Sequence, residues 1–388
     1  MQFIDLKTQQ QRIRDQINLN INKVLDHGLY ILGPEVAELE KRLAAYIDVK
    51  HAIACASGTD ALLLALMAYN IGPGDAVFTT PFTFVATAEV ISLLGAVPVF
   101  VDIDPITMNI DPKSLEQAIS QFSKNQLPIQ HRYAKSLSSD LKAKAIIAVD
   151  IFGLPADYDA ITAIANQNNL LLIEDAAQSF GATYKNKKAC SFGNIGCTSF
   201  FPAKPLGGYG DGGMCFTNED HLMTLIRSIA VHGQGQTKYD NVRIGINGRL
   251  DTLQAAILLP KCDIFDSELS MRQAVADRYS QLLKSVDSIV TPVVPENYTS
   301  VWAQYTILVK DTEHRTKLIN SLQKQSIPTA IYYPTPLHLQ PAFATYKYQQ
   351  GDYPTSESIA SRVLSLPMSP YTDAEDQKRI CEIIAQES

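Results

Sequence analysis

Between His51 and Asp175 the chain alternates short, fully apolar runs with helical ones, and this alternation constrains its fold more than any other feature. "HAIACASGTDALLLALMAYNIGPGD" reads as a short strand, a Ser-Gly-Thr turn and an apolar helix ending at Gly72. "AVFTTP" follows as a strand, then a helix around 84–94, then "VPVFVDID" as another strand. "AKAIIAVDIFG" and "LLLIEDAAQ" are two more strands, separated by the helical "DYDAITAIANQNN". Strands without a polar face must be covered on both sides, so the pattern predicts a mainly parallel sheet between helical layers. Further helical spacing falls near 9–26 and 34–47, and a long helical pattern begins at about Arg249. Beyond it, "SVWAQYTILVK", a helix over 312–325 and a Pro- and Tyr-rich stretch predict a smaller α+β unit. The expected division is a large domain over 1–255 and a small C-terminal domain over 256–388.

A length of 388 residues, 46% of them hydrophobic and 19% charged, suits a globular protein with a large core. The net charge of −7 gives no electrostatic reason to expect a nucleic acid or an anionic membrane as partner. The six cysteines are spread singly, without C-x-x-C or a zinc-like spacing with histidine, so they read as reduced and mostly buried, with no metal site. "MQFIDLKTQQQRIRDQ" is too polar for a signal peptide. The longest apolar span, "AVFTTPFTFVATAEVISLLGAVPVFV", is broken by Pro81, Glu89, Gly95 and Pro98. A cytoplasmic protein is expected. The polar segment 122–144 reads as an exposed insertion.

"SFFPAKPLGGYGDGG" carries both a lysine and a G-x-G-x-x-G spacing from Gly208 to Gly213. A dinucleotide loop needs a helix opening on the last glycine, because that helix end holds the pyrophosphate. "MCFTNED" follows instead, with strand character and then a turn, so the spacing is accidental. Lys204 is better read as a chemical lysine. Phe200, Phe201 and Pro202 supply the apolar surroundings that favour a neutral amine, and the glycines let backbone approach a ligand.

Other pieces agree. Asp175 ends an apolar strand at the sheet edge where α/β proteins bind ligands, and a buried carboxylate there could pair with a protonated pyridine nitrogen. Ser57, Gly58 and Thr59 open a helix, which is either a plain N-cap or a phosphate seat. "PFTFVAT" places aromatic rings after a strand, as core or to stack on a flat heterocycle. Lysine, acid, helix start and ring together describe a pyridoxal 5′-phosphate site.

These stretches, with "FIDLKTQQ", "ILGPEVAELE", "GINGRLDTLQAA", "YPTPLHLQPAF" and "LSLPMSPY", resemble the DegT/DnrJ/EryC1/StrS family of sugar aminotransferases over nearly the whole chain. The resemblance implies the pyridoxal phosphate-dependent fold type I, aspartate aminotransferase-like, with a large mixed-sheet domain and a small α+β domain. It implies that Lys204 joins the cofactor covalently and Asp175 pairs with its ring nitrogen. Gln178 would approach the phenolic oxygen and Phe84 would cover the ring face. Gly58, Thr59, the amide of Asp60 and Ser199 would hold the phosphate, with Asn247 reaching it from a second subunit of a homodimer.

Among subfamilies the chain is most similar to aminotransferases acting on UDP-2-acetamido-2-deoxy-3-oxo-glucuronate in bacterial surface-polysaccharide synthesis, with L-glutamate as donor and 2-oxoglutarate as its product. A 4-keto or dTDP-linked 3-keto sugar nucleotide is the alternative substrate, and a non-catalytic regulatory protein on the same fold the alternative class. Tyr332 stands where the resemblance leads one to expect histidine beside the sugar, with Tyr333 and His338 flanking the site or stiffening a surface loop. His232 lines the site or sits in a loop. Arg249, Arg243 and Lys238 are candidates for the sugar diphosphate or a carboxylate, or structural ion-pair partners.

Overall fold

The computed structural model describes residues 1–126, 141–237 and 239–387. Most of the 122–144 segment, and Lys238, lie outside them. Phe122, at the start of that segment, is not part of an exposed insertion: it is 5% exposed and packs edge-on against Phe78.

The strands are β1 (His51–Cys55), β2 (Asp75–Thr79), β3 (Val97–Phe100), β4 (Lys142–Val149), β5 (Leu171–Asp175), β6 (Thr183–Tyr184), β7 (Lys187–Lys188), β8 (Ile195–Ser199), β9 (Gly213–Thr217), β10 (Tyr298–Thr299), β11 (Tyr305–Leu308) and β12 (Val363–Leu366). Seven form the main sheet in the order β1-β9-β8-β5-β4-β2-β3. Only β9 runs against the others: it pairs antiparallel with β1 and β8, while β8, β5, β4, β2 and β3 pair parallel.

Period-two alternation explains the layering. Ile53 and Cys55 point to one face, with Val77, Ile147, Ile173 and Ile195, under the helices Gly58–Ala68, Ala86–Leu93 and Asp220–Ile229. Ala52 and Ala54 point to the other, where Phe216 and Met214 meet the helix Pro34–Ile47. Phe78, Ile146 and Leu172 meet Pro112–Ser123 and Tyr158–Gln167 on that same side. Each such fully buried aliphatic or aromatic side chain contributes about 1.5–3 kcal/mol of transfer free energy.

The helix Thr252–Leu283 runs unbroken through the expected domain boundary at residue 255. Its first half, through Phe265, packs into the large core; from Val275 onward it belongs to the small one. Pro260 sits inside it and cannot donate to the carbonyl of Ala256. Asn20 donates to that carbonyl instead, at 3.3 Å, so the helix passes the proline with its acceptor satisfied. The small unit is the antiparallel pair β11 and β12, packed on Tyr279, Leu318, Leu322, Ile380 and Ile384. Val363 and Leu308 also touch Phe82, Val149 and Ile151, which seats the small unit at the carboxyl edge of β2 and β4.

Candidate active site

Strand register assembles the site. Cys55, the end of β1, stands opposite Gly213 at the start of β9, and Gly213 opposite Ser199 at the end of β8. One step along, Cys197 is level with Asp175, and Asp175 with Val149. The turns holding Ser57–Asp60, Phe84, Asp150, Gln178 and Lys204 therefore leave the sheet at one edge, the carboxyl end of its parallel strands.

At the left of this edge, Ser57 caps the helix that follows. Its hydroxyl oxygen accepts the amide of Asp60 at 3.0 Å, and the hydroxyl lies 3.1 Å from the Asp60 carboxylate. The amides of Gly58 and Thr59 bond to no protein group among the described residues, so the helix start presents unused donors. Two glycines draw the walls in. A Cβ on Gly58 would lie 2.6 Å from Cβ of Ser199, and one on Gly213 would lie 2.3 Å from the carbonyl oxygen of Ser57. The Ser199 hydroxyl oxygen accepts from the Phe201 amide at 3.2 Å, which leaves its own proton for another partner.

In the centre, Asp175 is 6% exposed. Its Oδ2 accepts from Thr87 Oγ1 at 2.8 Å and its Oδ1 from the Ala177 amide at 3.3 Å. Thr87 in turn lies 3.0 Å from the hydroxyl of Thr83. Burial pushes the Asp175 carboxyl up, while those two donors and the charge of Lys204 pull it back. Burial also lowers the Lys204 amine, with Asp175 acting against it. Acid and lysine thus feel each other across the edge. Glu174, the other half of the acid pair, faces away and accepts the amides of Cys190 and Phe192. Its role is to hold that loop.

On the right, Gln178 Oε1 accepts the amide of Phe152 at 2.7 Å, which fixes Nε2 as the outward donor. That nitrogen donates to Tyr333 Oη at 3.2 Å and has a second proton to give. Tyr333 comes from the small unit, and burial raises its phenol. Phe84 is 53% exposed, 6.3 Å from the Tyr333 ring, whereas Phe82 two residues earlier is fully buried. Of the two rings in "PFTFVAT", only Phe84 faces the cleft.

Other expected residues stand elsewhere. His338 does not join the cleft: it is 2% exposed, with Nε2 3.0 Å from Glu357 and Tyr353 against its ring, so it ties its loop to the helix Pro354–Arg362. Tyr332 is half-buried between Tyr333 and Phe3. His232 and Arg243 lie on an exposed loop, where Arg243 donates to Ser228. Asn247 is exposed and shares a cavity of about 430 Å³ with Arg249, Asp211, Gly210 and Ala56. The residues that sequence reasoning missed are Thr83 and Thr87. Their only signal is an i, i+4 pair of hydroxyls in an otherwise apolar run.

Residues 11–385 match the DegT/DnrJ/EryC1/StrS aminotransferase family. The UDP-2-acetamido-2-deoxy-3-oxo-D-glucuronate aminotransferase of Pseudomonas aeruginosa is 51% identical over 381 residues, 98% of each chain. The crystal structure of a DegT DnrJ EryC1 StrS aminotransferase from Brucella abortus is 51% identical, with a TM-score of 0.92 over 99% of this chain and 98% of its own. NtdA from Bacillus subtilis, solved with bound cofactor PMP, is 30% identical, with a TM-score of 0.86 over 99% of this chain and 83% of its own. The chain belongs to the DegT/DnrJ/EryC1/StrS aminotransferase family.

Proposed function

We propose that the protein is a pyridoxal phosphate-dependent aminotransferase that moves an amino group from L-glutamate to a keto sugar nucleotide, UDP-2-acetamido-2-deoxy-3-oxo-glucuronate. In this reading it works in the cytoplasm, for bacterial surface-polysaccharide synthesis, as a homodimer with shared active sites. The observation that carries it is Lys204 set against the buried Asp175, beside a helix start with unused amides. The 51% identity to the P. aeruginosa enzyme supports the choice of substrate.

The residues present fit the cofactor. The amides of Gly58 and Thr59 and the hydroxyls of Thr59 and Ser199 would hold the phosphate, in a cradle that a Cβ on Gly58 or Gly213 would fill. The Asp60 amide is already taken by Ser57, so its part is to order the turn. When bound, the cofactor supplies a carbonyl carbon that takes up the amino group and a ring that accepts electrons as the donor's α-proton leaves. Asp175, buried and faced by the charge of Lys204, would keep the ring nitrogen protonated. Gln178 would give its second amide proton to the phenolic oxygen, and Phe84 would close one ring face. The depressed pKa of Lys204 suits an amine that would take the proton from the donor's α-carbon and then give it up again, as base and then acid. Asn247 would complete the phosphate site of the neighbouring subunit.

Borohydride treatment of the loaded protein followed by peptide mass spectrometry tests the assignment. The expected result is a pyridoxyl adduct on Lys204 and none in Lys204→Ala. Assays with 3-keto and 4-keto sugars on UDP and dTDP test the substrate. Preference for a 4-keto or dTDP-linked sugar would overturn that part.

A further inference from the structure

Lys261 is an amine that the reaction does not use, and it is 1% exposed. It lies two turns into the helix Thr252–Leu283, on the same face as Gln254 one heptad earlier. Its Nζ donates to the carbonyl of Gly207 at 2.5 Å and sits 4.1 Å from the centre of the Tyr209 ring. Gln254 Oε1 accepts the amide of Tyr209 at 2.9 Å. A Cβ on Gly208 or Gly210 would come within 2.8 Å of the Gln254 amide group, so the glycine run lies flat on that side chain.

This run is the return limb of the turn that carries Lys204. Phe200 donates to the Gly212 carbonyl and accepts from the Gly208 amide, both at 2.7 Å, which closes the turn at its base. Gly207 passes directly beneath Phe201 and Pro202: a Cβ there would lie 2.5 Å from the Pro202 carbonyl. A shift at Gly207 therefore moves the segment that ends in Lys204.

We propose that Lys261 is a positioning residue for Lys204, its ammonium fixing the Gly207 carbonyl so that the turn presents the reactive amine at one height above the sheet. A methionine would fill nearly the same space without the cost of desolvating a charge. What only the ammonium adds is direction, because it must aim at an acceptor. Its charge is supported by Glu268, a further heptad along, and although burial lowers its pKa to about 8 it is protonated at neutral pH. Glu268 itself is held by Gln9 and Tyr371, so it keeps partners when Lys261 is replaced.

The inference rests on the proposed role of Lys204 and is tested on the pyridoxal phosphate-loaded enzyme with Lys261→Met. Expected are an unchanged or higher melting temperature, a borohydride-fixed adduct on Lys204 and a shifted midpoint in the pH titration of the visible absorbance. With the amine misplaced, kcat should fall roughly 10- to 100-fold while the donor KM stays within about twofold. A kcat and titration midpoint matching wild type would overturn the proposal. Should Lys261→Met fail to fold, Lys261→Gln, which keeps a polar side chain too short to reach the Gly207 carbonyl, takes its place, and wild-type kcat and midpoint there overturn the proposal equally. A wild-type protein that gives no adduct on Lys204 would instead sink the function from which the inference starts.

Discussion

At the scale of single residues, Asp175 is the group whose environment is most finely balanced. A ring nitrogen is kept protonated only by an ionised partner, yet burial pushes this carboxyl up. Thr87 offsets that by donating its hydroxyl to Oδ2, with the oxygens 2.8 Å apart, and its own oxygen is free to accept from Thr83. Thr87→Val keeps the shape and deletes the donor, so the Asp175 pKa should rise. Activity that needs the ionised acid is lost as pH falls through that pKa, so the acidic limb of the kcat profile should move to higher pH. The loss at neutral pH should be about 1–2 kcal/mol, roughly 5- to 30-fold. Asp175→Asn, which removes the charge itself, should cost far more with the fold intact. Steady-state rates from pH 5.5 to 9 check both, and an unmoved acidic limb in Thr87→Val would deny the threonine this role. Lys204 and Asp175 were legible in the sequence because each sits in a stretch whose chemistry is local. Thr87 was not, because its partner is 88 residues away and a threonine in an apolar run has an ordinary helical explanation.

Among elements, the helix Gly58–Ala68 has most at stake. Gly58 has no unusual backbone angle to protect; its need for a bare Cα is the 2.6 Å approach to Ser199. Gly58→Ala must push the helix start away from the end of β8, separating the free amides from the serine hydroxyl. Pyridoxal phosphate should then bind about 10- to 100-fold more weakly, a change of roughly 1.4–2.7 kcal/mol. An absorbance titration of cofactor into stripped enzyme measures it, and affinity within twofold of wild type would refute the cradle. β1 to β5, β9 and several helices were readable because wholly apolar runs and 3.6-residue spacing are local signals, whereas β8 and the helices Pro112–Ser123, Pro354–Arg362 and Ala374–Glu387 were not read. The helix Asp220–Ile229 was missed: its opening "NED" reads as a turn, and it buries only Leu222, Ile226 and Ile229. The division at residue 255 fell inside a continuous helix because nothing in a helical pattern marks where one core passes to the next.

For the whole molecule, the question is whether one chain makes a complete site. The stretch Leu29–Leu32 leaves four apolar side chains about half exposed, and Val242 and Ile244 are 54% and 87% exposed. Ile31 is bridged to Asp251 and lines the cavity that holds Asn247, so this apolar surface adjoins the residue proposed to serve a neighbour. Apolar patches of this kind are commonly interfaces, and a two-fold dimer would bring the same patch from both chains together. Shared sites make a prediction that separate sites do not. Lys204→Ala and Asn247→Ala should each be nearly inactive alone. Unfolded together and refolded as a mixture, they should form mixed dimers in which one site joins an intact Lys204 from one chain to an intact Asn247 from the other. With random pairing about half the dimers are mixed and half their sites are whole, so activity should recover to about a quarter of wild type. If Asn247 served its own chain, every site in the mixture would lack one of the two residues, and refolding would restore nothing.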